Sequence, residues 1–239
     1  MMDDTHIASA FDRDLETLQA LIMKMGGLVE DGITKAATSL EKRDEELAEE
    51  VRRADVAIDQ LEEQINEEVA RVIAMRQPIA VDLRVILTVL KVSSNLERIG
   101  DYAKNMAKRT TVLAGMQQVN GSAASIRRMA KEVERMLKDV LDAYIQRDAD
   151  LAMEVIQRDT DVDQMYNALF REFLTFMMED PRSITACMHL HFIAKNTERM
   201  GDHVTNVAEE VVYLVTGERP DEKRPKDDQT SVDANIAPV

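Results

Sequence analysis

The string E-R-x-G-D-x-x-x-N occurs twice in this 239-residue chain. One copy runs from Glu97 through Arg98, Gly100 and Asp101 to Asn105. The other runs from Glu198 through Arg199, Gly201 and Asp202 to Asn206. A repeat at this spacing points to two copies of one folded unit. The likeness extends well beyond the string. Arg43-Asp44 with Leu47-Ala48 matches Arg147-Asp148 with Leu151-Ala152, and Asp55, Asp59 and Gln60 match Asp159, Asp163 and Gln164 at the same spacing. Pro78 matches Pro181 at a slightly shorter spacing, as small deletions after an old duplication would leave.

Apolar residues recur every three or four positions, which is the signature of amphipathic helices. The first helix is expected over about 6–42. Asp44 reads as the N-cap of a second that reaches about Met75. Pro78 breaks the pattern, and a third helix runs from about Ile79 to Leu113. Gly115 and Asn120-Gly121-Ser122 read as a linker. The plan then restarts with a helix to about Gln146, a cap at Asp148, a helix to about Met178, and a cap at Asp180 before Pro181. The last helix reaches about Thr216 and stops at Gly217. Residues 218–239 are polar and without periodicity, and are expected to be a disordered tail. The expected fold is all-α: two tandem, similar, antiparallel three-helix bundles, six helices in all, at 5–115 and 122–217.

Composition narrows the functions. Fifteen methionines among good helix formers suit gap-filling in helical cores. A net charge of −15 disfavours nucleic-acid phosphates as ligands. No apolar run is long enough to span a membrane. The acidic Met1-Met2-Asp3-Asp4 start, with no apolar run behind it, does not read as a signal peptide. Cys187 is the single cysteine; it fits a reducing cytosol and a small core residue.

Each copy of the string places a Glu and an Asp four apart, on one helix face. If helices two and three fold back at Pro78, residues equally far from the turn become neighbours. Asp59 then meets Glu97, and Asp55 meets Asp101. In the second half Asp163 meets Glu198, and Asp159 meets Asp202. Carboxylates about 5 Å apart repel by roughly 3 kcal/mol per pair at an effective dielectric near 20, so such a group needs cations or raised pKa values. Two readings are open. One is an ion-pair network, with Arg98 and Arg199 as candidate cations. The other is a metal site, where all-oxygen donors suit Mg²⁺, Ca²⁺, Mn²⁺ or iron. Gly100 and Gly201 would permit close helix approach, while Asn105 and Asn206 could add an amide oxygen or bond a neighbour. His203, where the first copy has Tyr102, reads as a partly exposed helix histidine. No His has a Glu three residues before it, as ferritin-like di-iron sites require. The chain also lacks H-E-x-x-H, P-loop, dinucleotide-binding and G-x-S-x-G signatures.

The chain resembles the PhoU family, accessory and regulatory proteins of bacterial phosphate-specific transport. The most specific pieces are Arg76-Gln77-Pro78 leading to Asp82-Leu83-Arg84, Glu97 to Tyr102, Glu198 to His203 with Thr205-Asn206, and the ending Tyr213 to Gly217. The resemblance covers about residues 5–217. It implies multinuclear metal sites, iron or zinc in some members, on Asp55, Asp59, Glu97, Asp101, Asp159, Asp163, Glu198 and Asp202; the oxygen donors keep magnesium and manganese as further candidates. It further implies a cytoplasmic homodimer at the inner membrane face, without membrane insertion. Its partners would be the phosphate ABC transporter ATPase and a sensor histidine kinase, and its role negative regulation of phosphate uptake and of the starvation response. No catalytic reaction is implied. The rival readings are a metal-dependent phosphoester hydrolase and a plain helical scaffold with ion-paired acidic clusters.

Overall fold

The computed structural model describes the backbone of residues 3–220 and the side chains of residues 10–220. The expected disordered tail falls, for residues 221–239, outside the described residues. Six α-helices account for nearly all the rest: α1 (Asp3–Lys42), α2 (Glu45–Arg76), α3 (Val81–Ala114), α4 (Ser122–Gln146), α5 (Ala149–Glu179) and α6 (Ile184–Thr216). A short 3-10 turn, Pro181–Ser183, precedes α6. No strand occurs among the described residues.

The turns repeat as faithfully as the motifs. Asp44 and Asp148 each accept the N–H of the third residue on, Leu47 and Leu151, at 3.0 Å. Their own N–H groups close the preceding helix by donating to Ser39 O and Ala143 O. Between helix and cap sit Arg43 and Arg147, with φ of 55° and 56°. This is the left-handed position that glycine usually fills. The Arg43 guanidinium repays its strained backbone by donating to the carbonyls of Leu113 and Met116, which closes the end of α3. The two proline turns differ. Pro181 opens the 3-10 turn, whereas Pro78 lies in a non-helical link between left-handed Gln77 and Ala80, whose φ is 49°, and α3 starts only at Val81.

Helices α1–α3 form one antiparallel bundle and α4–α6 the other. The bundles meet through α3 against α6 and α1 against α4. Helices α3 and α6 run antiparallel: Lys91 meets Glu210, Asn95 meets Asn206, Met106 meets Thr197, and Arg109 meets Phe192. One hydrophobic core runs through both bundles, including Ile22, Leu96 and Ile99 from the first and Val133, Ile193 and Met200 from the second. Met25, Met106, Met129, Met136 and Met200 are fully buried, and Cys187 is a core residue. A buried Leu or Ile is worth about 1.5–3 kcal/mol, so a core shared in this way binds the two repeats into one folding unit.

Candidate acidic site

The buried stripe of α2 runs Ala48, Val51, Asp55, Ile58, Leu61, Ile65, Val69, Val72. Asp55 therefore occupies a core position in an otherwise apolar seam. Asp159 does the same on α5, between Val155 and Val162. Each acid is admitted by the glycine of the string on the facing helix. A Cβ on Gly100 would lie 3.7 Å from Asp55 Oδ1 and 3.0 Å from Ile58 Cδ1, and a Cβ on Gly201 would lie 3.3 Å from Asp159 Oδ1. The glycines thus give two helices room to close around a carboxylate.

In the first half the hairpin brings Asp55, Glu97 and Asp101 together. Lys104 sits between the two aspartates: its Nζ donates to Asp55 Oδ2 across the hairpin and to Asp101 Oδ1 at 3.1 Å along α3. Asp55 is only 3% exposed. Burial pushes its carboxyl above the usual range, as do the charges of Asp59 and Asp101, and Lys104 pulls the other way. The ammonium is held above its ordinary value by these same hydrogen bonds. Glu97 is pushed up to about 7, first by burial, then by the charge of Asp101, with which it also shares a hydrogen bond. Asp59 is exposed and forms the rim. Arg98, the cation expected from sequence, is largely solvated, 3.5 Å from Glu97 and 3.8 Å from Asp101.

The second half is drier. Asp159, Asp163 and Glu198 are 2%, 4% and 5% exposed, with Asp202 half-buried. Lys195 pairs with Glu198 at 3.0 Å and lies 4.7 Å from the centre of the Tyr166 ring. Asp163 is buried although its counterpart Asp59 is not, so the quartets are unequal. Where the first half has Lys104, the second has Thr205, whose hydroxyl bonds Gly201 O.

Lys104 and Lys195 are the residues that sequence reasoning missed. Both stand three residues from an acid of the string, Asp101 and Glu198, on the same helix face, and that spacing was the available signal. Asn206 donates to Asn95 Oδ1 at 3.4 Å, and His203 Nδ1 lies 2.8 Å from the same oxygen.

The donors are hard oxygens throughout, which suits a metal in kind. Their arrangement is less suited. Among the described residues no three or more His, Cys, Asp or Glu side chains are gathered as a metal cage. In the first half an ammonium takes the central position. That group does not fit an ion as it stands; in the second group Lys195 is already paired with Glu198, and the oxygens suit a metal in kind only.

Comparison with known proteins identifies the lineage of this arrangement. The PhoU domain model matches twice, at residues 22–110 and 126–211. The chain belongs to the PhoU family. It is 45% identical over 230 residues to a Rhizobium meliloti protein named phosphate-specific transport system accessory protein PhoU homolog, covering 96% of this chain and 97% of that one. The crystal structure of PhoU from Pseudomonas aeruginosa superposes with a TM-score of 0.84 at 40% identity, covering 87% of this chain and all of that one. That of the phosphate transport system regulatory protein PhoU from Streptococcus pneumoniae gives 0.82 at 32% identity, covering 89% and 100%. Each PhoU domain match contains one copy of the string and one acidic group. No described helix is long and apolar enough to cross a membrane.

Proposed function

We propose that this chain is a non-enzymatic accessory protein of phosphate-specific transport that restrains phosphate uptake and keeps the starvation response off when phosphate is plentiful. In this reading it is a cytoplasmic adaptor, acting as a homodimer, between the ATPase of the phosphate ABC transporter and a sensor histidine kinase. The observation that carries the reading is the near full-length likeness to a named accessory protein, which spans both halves of the chain. The fold supports it physically. Helices of 25 to 40 residues offer long, rigid faces, and a shared core fixes those faces relative to one another, as a docking protein needs. Without a membrane-spanning helix among the described residues, attachment to a transporter would run through its cytoplasmic parts.

Asp159, Asp163, Glu198 and Asp202 would hold a metal ion in the second bundle. There it would supply a fixed positive charge joining α5 to α6. A second reading, the scaffold stapled by ion pairs, is favoured in the first bundle by the Lys104 bridge between Asp55 and Asp101. Immobilised full-length chain should retain both the purified transporter ATPase and the kinase's cytoplasmic region at physiological salt. Retention of neither would remove the adaptor proposal, and retention of one would name the partner it serves.

A further inference from the structure

The two acidic groups descend from one ancestral unit, yet only the first has a lysine at the position just beyond its E-R-x-G-D block. Lys104 occupies that position in α3, and the buried Thr205 occupies it in α6. The ammonium bonds one carboxylate from each helix of the hairpin, Asp55 on α2 and Asp101 on α3. A metal held by Asp55 and Asp101 across the hairpin would have to contact the same two carboxylates that Lys104 already bonds. Asp55 has no alternative exit, since it is buried in the α2 stripe between Val51 and Ile58 and faces Gly100. Lys104 is half-buried, and its head is fixed by bonds to both helices.

We propose that Lys104 is a built-in cation that takes the place of a metal in the first acidic site, so that this site is closed to metal while Lys104 is present. The first hairpin is then clamped by an internal ammonium that bonds one carboxylate on each of its helices. The chemistry is simple competition. A protonated amine has no lone pair to offer a metal, and its charge within hydrogen-bond reach of both aspartates repels a divalent ion. The proposal rests on the metal-binding reading of the family's acidic motifs, but its test separates the two.

The test is equilibrium Mn²⁺ binding to the full chain, followed by electron paramagnetic resonance of free Mn²⁺, with thermal melting alongside. Wild-type binding should be unchanged by Asp55→Asn. Lys104→Met should gain a new class of Mn²⁺ sites, at least about tenfold tighter than anything Asp55 contributes in the wild type. That gain should vanish in the Lys104→Met/Asp55→Asn double variant. Without metal, Lys104→Met should melt below wild type, and Mn²⁺ should recover part of the loss. Lys104→Arg keeps a cation in place and should gain no sites, which controls for disruption of the helix. Failure of Lys104→Met to bind more Mn²⁺ than wild type overturns the proposal, as does a loss of wild-type binding in Asp55→Asn. If wild type binds no Mn²⁺ at all while Lys104→Met does, this inference stands and the metal role of the second bundle falls. Should Lys104→Met prove unfolded, Lys104→Gln carries the same comparison.

Discussion

The rings of Tyr102 and His203 lie 5.7 Å apart across the junction of α3 and α6, although the two residues hold the same place in the two copies of the motif. Equivalent residues that touch one another mark the line about which the repeats are related. Around this contact, Asn95 holds His203 and Asn206, and Lys91 holds Glu210. A double-mutant cycle with Tyr102→Ala and His203→Ala should give a coupling of about 0.5–1.5 kcal/mol, the range for aromatic pairs. Strict additivity would mean that the contact contributes nothing to joining the halves.

Gly100 and Gly201 should respond differently to alanine. A Cβ at 100 meets Ile58, its rotatable Cδ1 at 3.0 Å and its Cγ2 at 3.4 Å, and alanine brings about 1 kcal/mol of helix propensity. Gly100→Ala should therefore stay within about 0.5 kcal/mol of wild type. At 201 the Cβ would meet Asp159 Oδ1 and the stiff Val162 Cγ1, both at 3.3 Å. Overpacking of this kind typically costs about 1–3 kcal/mol, so Gly201→Ala should be the less stable of the two. Urea midpoints at constant m-value decide the order.

Asp44→Ala and Asp148→Ala each remove a side-chain cap from a helix start. Each should cost about 1 kcal/mol. Asparagine at either position should recover most of it, since its amide oxygen can accept the same N–H. Thermal melting of the four variants checks this, and an alanine variant that melts with wild type would show that the cap is dispensable there.

Glu30 lies where α1 meets α4 and is held above the usual carboxylate range, first by burial, then by the charges of Glu134 and Asp142, with Lys138 opposing. The folded chain therefore keeps this proton more tightly than the unfolded chain, whose value is near 4.5. The resulting stabilisation is complete below that value and is lost as pH rises through the folded pKa. Glu30→Gln should thus melt higher than wild type at pH 7.5, with the advantage shrinking toward pH 4. A difference independent of pH would rule out this titration as its source.

Fold class was legible because periodicity and repetition both report on helices. The matched caps at Asp44 and Asp148, and the glycines facing Asp55 and Asp159, follow from the same repeat. What the repeat concealed is how its halves diverge. Asp59 and Asp163 look equivalent in sequence, but only Asp163 turns into the core. Arg98 and Arg199 stand inside the motif and drew attention as cations, yet Arg98 points largely to solvent while Lys104 reaches across the hairpin. A guanidinium or ammonium can reach several places from one backbone position, so which cation closes a site is decided by packing. The left-handed Arg43 and Arg147 were hidden for a related reason, because arginine gives no local sign of positive φ.

Transcription of a phosphate-starvation reporter in phosphate-rich medium, compared between the parent strain and one lacking this gene, tests the regulatory role most directly. A negative regulator predicts strong expression in the deletion strain, returned to the low parental level by a plasmid copy of the full chain. A reporter that stays silent in the deletion strain would contradict it.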